Sequence, residues 1–412
     1  MILWSHPTGT QSSRALLSEL SRRGMLSAGI TSLVVPPWLP DVLPRGLARE
    51  ASRRLFPEAA GRIIATQPTW ECARTLLQRT RLAPWVEDDA RRCSTYALNQ
   101  RHDRRTAEWL CGRTDVRLVY AYDDGAEETF KVARQMGVTT VYECPTSHWK
   151  TWSRLYEEEA MFTPDWADTL PRPAISLEKS RRKDAEFAMA DRVVCASRFA
   201  ARSLREHLPS GVDIETIPYG APVPAAVPGL LGTARRLRVL YAGRLSQTKG
   251  LSYLMASMQT LRMEATLTTV GLPTNPRSRA MAEVIARSHW IPTLPHAELL
   301  DCMRSHDVLV LPSLSEGCGL VILEAMAQGL PVITTVNTGG PDLITSGVDG
   351  WTVPIRSTEA IIEALMTLQK DRNRLRAMGQ AAWQTAARWS WNRYQETAWQ
   401  MLEPLVKASI LR

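Results

Sequence analysis

The chain has 412 residues, 44% hydrophobic and 22% charged, with a formal net charge of +8. That length suits two α/β domains of about 200 residues each, and no apolar run approaches the roughly 20 residues of a membrane-spanning helix. Lys and Arg outnumber Asp and Glu by 31 to 28 through residue 222 and by 19 to 14 beyond it, so neither half is a basic arm for nucleic acid. The excess suits an anionic small molecule or a negatively charged bilayer surface.

The opening MILWSHPTGT reads as a short strand and a turn. It lacks the basic start, long apolar stretch and cleavage site of a signal peptide, which predicts a cytoplasmic protein. The seven cysteines are odd in number and scattered, with no CxxC and no Cys/His grouping at metal-ligand spacing. Reduced thiols and no metal site are the expectation.

Apolar strands followed by a turn and an amphipathic helix recur in two series, which predicts α/β layers with largely parallel sheets. In the first series MILWSH is a strand, SSRALLSELSRRG a helix, VRLVYAY a strand, GAEETFKVARQMG a helix, and TTVYEC and DRVVCAS strands. Residues 36 to 115, Pro-rich and then Arg-rich, read as surface helices and loops more than regular sheet. PYGAPVPAAVPGLLGT, residues 218 to 233, loses its charge and reads as an interdomain linker. The second series begins with strand LRVLYAG and helix LSYLMASMQTL, then EATLTTVG, AELLDCMRSH, DVLVLPS, GLVILEAMAQG and LPVITT, with helices from 357 onward. The Trp-rich WSWNRYQETAWQMLEPLV is an amphipathic helix expected to pack back on the first domain.

In open α/β sheets ligands bind beyond the carboxyl ends of strands, where helix N-termini present free N–H groups. Gly243 and Arg244 end the strand LRVLYAG, and Lys249 precedes Gly250 at a helix start. Two cations bracketing a glycine turn suit a diphosphate, Arg as a bidentate donor and Lys as a point charge; solvated basic residues at a helix start are the plain alternative. After DVLVLPS comes SEGCGLVILEAMAQG. There Gly317 and Gly319 allow close backbone approach, and Glu316 and Glu324 can accept hydrogen bonds from sugar hydroxyls. Glu316 could instead be a favourable first-turn acid and Glu324 a surface residue. Glu324 sits in the apolar VILEAMA, where a carboxylate without a partner is costly.

AGRLSQTKG, DVLVLPSLSEGCGLVILEAMAQGLPVI, TGGPDLI and DGWTVP together resemble the retaining GT-B glycosyltransferases of family 4 over residues 239 to 354. Weaker likenesses lie in HPTGTQSSRALL, ECPTSHW, and ADRVVCASRF with ETIPYGAP. The resemblance implies a GT-B fold, two Rossmann-like domains with parallel sheets facing across a cleft. It divides the chain into an acceptor-binding domain (1–220), a donor-binding domain (221–387) and a helix crossing back (388–412). Arg244 and Lys249 are then the pair that neutralises the donor diphosphate, Glu316 the contact to the transferred sugar and Glu324 the contact to the donor ribose. The amides around Gly319 and Leu320 add to the phosphate site, and Gly317 and Cys318 belong to the same donor-binding segment, with Cys318 standing at the sugar pocket where the family most often has Phe. Gly9 resembles the glycine turn facing the donor phosphates, and His148 a histidine near the sugar. Packing of His148 beside Trp149 is its alternative. Arg198 and Asp342 are lesser candidates.

The implied activity is metal-independent transfer of a glycosyl unit from a nucleoside diphosphate sugar to an acceptor hydroxyl with retention of configuration. The implied setting is glycan, polysaccharide or glycolipid synthesis, with a carbohydrate, lipid-linked or small-molecule acceptor and no cofactor. A nucleotide-sugar epimerase or hydrolase, or a non-catalytic sugar-nucleotide-binding protein, would share the architecture. Asp123 and Asp124 are expected to be helix N-caps rather than metal ligands. Trp38, Trp70, Trp85 and Trp109, each near arginines, leave peripheral membrane contact open against burial in the core.

Overall fold

A computed structural model describes residues 1–59, 61–78, 80, 86, 91–171, 176–229, 231–232 and 234–410. The first group of strands is β1 (Ile2–Ser5), β2 (Leu26–Thr31), β3 (Ile63–Ala65), β4 (Leu118–Tyr122), β5 (Thr139–Cys144), β6 (Arg192–Cys195) and β7 (Asp213–Thr216). They form one sheet in the order β3-β2-β1-β4-β5-β6-β7. The second group is β8 (Leu237–Ala242), β9 (Ala265–Val270), β10 (His289–Ile291), β11 (Val308–Leu311), β12 (Val332–Thr335) and β13 (Gly350–Val353), in the order β10-β9-β8-β11-β12-β13. Every pairing is parallel, for example Leu3 of β1 against Val119 of β4 and Leu240 of β8 against Leu309 of β11.

The parallel arrangement follows from the strands themselves. ILWS and LVYAY are buried at every position, which helices on both faces of a sheet require. In each sheet the strand order reverses beside the first strand, between β1 and β4 and between β8 and β11. Those two switch points are where an open α/β sheet leaves a crevice at its carboxyl edge.

Five strands lie where the sequence reading placed none: β2, β3, β7, β10 and β13. Each of β3 and β10 is an edge strand of three residues, only partly covered, too short to show a period. Among the described residues from 36 to 115 the helices are Leu39–Val42, Arg45–Ser52, Pro68–Leu77 and Thr95–Leu110, with the short 3-10 turn Pro57–Ala59. Trp38 is 61% exposed, Trp70 lies 4.1 Å under the Arg101 guanidinium, and Arg113 covers Trp109 at 4.3 Å. Trp85 lies outside the described residues. No helix among the described residues is long and apolar enough to cross a membrane.

Three contacts, among others, tie the sheets together. The linker runs past the start of the last helix, Trp391–Ile410, where Ala221 N–H donates to Trp389 O (2.5 Å) and Tyr219 stacks with Trp391. That helix then lies on the first sheet unit: Gln395 donates to Ala15 O (2.9 Å), Glu396 pairs with Arg23, and Ser409 meets Thr139 (2.8 Å). The helix Trp149–Phe162 leaves the first unit and ends against the second. There the fully buried Glu159 accepts from Arg356 Nε, Gln247 Nε2 and Tyr253 Oη, each at 2.7 Å.

Candidate active site

The carboxyl ends of β8 and β11 bring the predicted cations and acids together. Tyr241, buried on β8, donates its hydroxyl to Arg244 O (2.7 Å) and shapes the turn that presents Arg244 to solvent. The turn closes through a short 3-10 segment, Gln247–Lys249, whose Ser246 side chain accepts from Thr248 N–H. Lys249 Nζ is ion-paired with Glu316 Oε1, and Ser313 Oγ donates to the same oxygen (3.0 Å). The side chains of Lys249 and Glu316 are 24% and 16% exposed, so the pair borders the cleft instead of lying in the core.

Past Glu316 the backbone turns into the helix Leu320–Ala327, with Gly319 at its N-cap and no side-chain cap. Its first N–H groups therefore remain for a ligand. Gly317 cannot be another residue without moving a domain: a Cβ there would lie 1.6 Å from Pro145 O across the interface. Ser147 and Ser315 meet beside it at 2.8 Å. Cys318 is buried, and burial holds its thiol up at about 12. Leu320 is half-buried at the helix start. Glu324, in the second turn, is not alone: His296 Nε2 lies 2.9 Å from its Oε1. His296 and Tyr241 lie outside the motifs, because each is selected by position at a strand or helix end, and Ser313 lies inside one without being singled out.

Across the cleft the loop after β1 folds on itself. The N–H groups of Thr8 and Gly9 donate to His6 Nδ1 (3.0 and 2.8 Å), and Thr10 N–H donates to Ser13 Oγ (2.7 Å). Gly9 has φ +76° and packs under Phe56. Burial holds His6 at about 3, so it stays a neutral acceptor. His148 caps the helix Trp149–Phe162 through Nδ1 (3.2 Å to Lys150 N). Its ring is 1% exposed, between Phe187 and His207, and burial lowers it to about 4. The structure thus seats the His148 ring inside the first unit, while Pro145 and Ser147 before it lie at the interface. Arg198 and Asp342 find each other across the domains: Asp342 pairs with the guanidinium and accepts Arg198 N–H (2.8 Å) at the start of the helix Arg198–His207.

Asp123 and Asp124 do not cap the following helix, which corrects the sequence expectation. Both pair with Lys183 at 2.7 Å, while Asp103 accepts the N–H groups of Glu128 and Thr129. Among the described residues no group of His, Cys, Asp and Glu is arranged to hold a metal ion.

Between the two units lies a cavity of about 660 Å³. Its floor is the carboxyl ends of β8, β9 and β10, with Arg244, Gly271, Leu272 and Pro292 to Leu294, and its other wall is the helix Arg45–Ser52. A Cβ on Gly271 would lie 1.9 Å from Gly243 O, so the bare glycine keeps the β8 and β9 turns in contact under the cavity.

Residues 236–371 match the family described as glycosyl transferases group 1. A D-inositol 3-phosphate glycosyltransferase of Nocardia farcinica is 32% identical over 228 residues, 50% of this chain and 51% of that protein. A sulfoquinovosyl transferase of Arabidopsis thaliana is 32% identical over 165 residues, covering 39% and 32%. The chain spans about half the length of the first of these relatives. Among solved structures, sucrose-phosphate synthase from Thermosynechococcus elongatus superposes with a TM-score of 0.68 at 17% identity, over 99% of both chains. Residues 236–371 form a group 1 glycosyltransferase domain, and the chain has the GT-B fold. Anabaena HepE, solved in complex with UDP-glucose, shares the fold with a TM-score of 0.61 at 14% identity over 98% of this chain and 99% of its own. In the GT-B frame the Arg244, Lys249 and Glu316 cluster belongs to the second domain and opens toward the first.

Proposed function

We propose that this protein is a retaining glycosyltransferase that takes a glycosyl unit from a nucleoside diphosphate sugar and places it on an acceptor hydroxyl. The observation that carries the reading is the placement of Arg244, Lys249 and Glu316 at the carboxyl ends of adjacent strands β8 and β11, beside an uncapped helix start, with Arg244 also lining the interdomain cavity. The relatives named above as glycosyltransferases, and the neighbour solved with UDP-glucose, support the same class.

Arg244 and the N–H groups at Leu320 would hold the diphosphate, and Lys249 would exchange Glu316 for a phosphate oxygen. Glu316, released, would accept from hydroxyls of the transferred sugar, and Glu324 from the ribose. The glycosidic bond from the anomeric carbon to the diphosphate breaks as the acceptor oxygen bonds to the same face. The acceptor proton passes to the departing phosphate oxygen, whose charge the two cations stabilise. Aimed cations of this kind commonly supply a factor of about 10² to 10³ each, and they fill the role a metal ion would otherwise take. A carbohydrate, lipid-linked or small-molecule acceptor fits the open cleft.

A panel of nucleoside diphosphate sugars, scored for thermal stabilisation and for nucleotide release with and without candidate acceptors, tests the reading. Expected are stabilisation by one donor, acceptor-dependent release unaffected by a chelator, and a product whose anomeric signal by NMR matches the donor's configuration. Donor conversion that needs no acceptor would place the protein with the epimerases or hydrolases.

A further inference from the structure

The cavity carries cations on both walls. On the donor side is Arg244; on the acceptor side are Arg49, in the helix Arg45–Ser52, and Arg53 at its C-cap. Among the described residues the Arg49 and Arg244 guanidinium groups have no hydrogen bond or ion pair. Arg53 holds only a long contact to Glu50 (3.4 Å) and is 63% exposed. Glu50 is the one acid among the described lining residues, and it is already shared between Arg53 and Arg54. Like charges converging on one cavity repel unless an anion joins them.

The helix is held in place against the loop after β1. Arg54 donates to Thr8 O (3.2 Å), Arg14 donates to Arg53 O (2.6 Å), and Phe56 packs on Gly9 with the Arg14 guanidinium 4.2 Å above its ring. That same loop has committed the N–H groups of Thr8, Gly9 and Thr10 to His6 and Ser13. The acceptor-side wall therefore offers an anion side-chain cations in place of loop amides.

We propose that Arg49, with Arg53 beside it, is the acceptor-domain half of a split diphosphate site whose donor-domain half includes Arg244. The inference rests on reading the cavity as the seat of a nucleoside diphosphate sugar, and it adds residues that bind the donor from the opposite domain. A ligand bearing two or more negative charges bridges the walls, so donor binding draws the two domains onto one another. Bidentate guanidinium contacts suit adjacent phosphates better than ammonium groups do.

The test is calorimetric titration of the full chain with UDP, GDP and ADP, as the unmodified protein and as Arg49→Ala, Arg49→Lys and the double variant Arg49→Ala, Arg53→Ala. For whichever diphosphate binds, Arg49→Ala is expected to weaken binding about tenfold, the double variant further, and Arg49→Lys less. Affinity should also fall less steeply with salt in the double variant than in the unmodified chain. Affinity and salt dependence unchanged in the double variant overturn this inference and leave the functional reading standing. Equal losses in Arg49→Ala and Arg49→Lys with an unaltered salt slope also overturn it, since they mark a packing role. An unmodified chain that binds none of the diphosphates, nor any donor of the sugar panel, overturns the functional reading and this inference with it.

Discussion

Lys249 and Glu316 neutralise one another at the edge of the cleft, so removing either has an electrostatic cost beyond its own contact. Lys249→Ala and Arg244→Ala should each lower turnover about 10²-fold or more with little change in melting temperature, because both side chains border solvent. Steady-state rates with the donor found by the panel check this; two variants with full turnover would remove the cluster from the chemistry. A second residue-scale expectation concerns His102, fully buried with Ser5 Oγ at 2.9 Å and Thr66 Oγ1 at 3.2 Å, and held at about 3 by burial. The unfolded chain protonates this ring near 6.5 while the folded one does not, so folded stability falls as pH drops below 6.5 and stops falling near 3. Relative to His102→Gln, the unmodified protein should lose about 1.4 kcal/mol per pH unit across that window. Denaturant melts of both proteins at pH 7, 6, 5 and 4 measure the difference; parallel curves would show that His102 titrates normally.

At the scale of elements, what could be read in advance was what the chain repeats locally. β5 shows in TTVYEC because β-branched and aromatic residues run between Gly137 and Pro145, which bound the strand. The turn at Arg244 to Lys249 and the glycines around Cys318 show because the proposed phosphate site would fix residue types at fixed spacing. Glu159 shows nothing, since its partners Gln247 and Arg356 lie 88 and 197 residues away and are assembled only by the fold. The helix Arg45–Ser52 was equally silent, its arginines acquiring meaning only opposite Arg244. The close approach at Gly317 makes an element-scale prediction. Gly317→Ala places a methyl where Pro145 O now sits, and carbonyl and helix start must separate. Turnover should collapse while each sheet unit stays folded, and small-angle scattering should report a larger radius of gyration than for Cys318→Ala. Unchanged scattering and activity would mean that the two domains do not meet here in solution.

For the whole molecule, the last helix decides whether two domains behave as one. It begins where the linker crosses, with Tyr219, Trp391 and Tyr394 in mutual ring contact, and Tyr219 also donates to the buried Glu143 of the first sheet (3.0 Å). Its later turns bury Ala398, Leu402 and Val406 against the first unit, alongside Trp399 under Arg23. Leu402→Ala removes a fully buried side chain from this docking face, a change that costs about 2–5 kcal/mol when the site cannot collapse. Interfaces between domains within one chain are ordinarily weak enough to permit relative motion, so that loss falls on the coupling between units. Calorimetry should then resolve two unfolding transitions where the unmodified chain shows one, with the second domain's midpoint nearly unchanged. A ligand spanning Arg49 and Arg244 should draw the two transitions back together, because binding adds free energy only to the state with both walls in place. A single transition, shifted down intact, would instead place the coupling in the Glu159 cluster and the Ser147–Ser315 contact, with the last helix as a passenger.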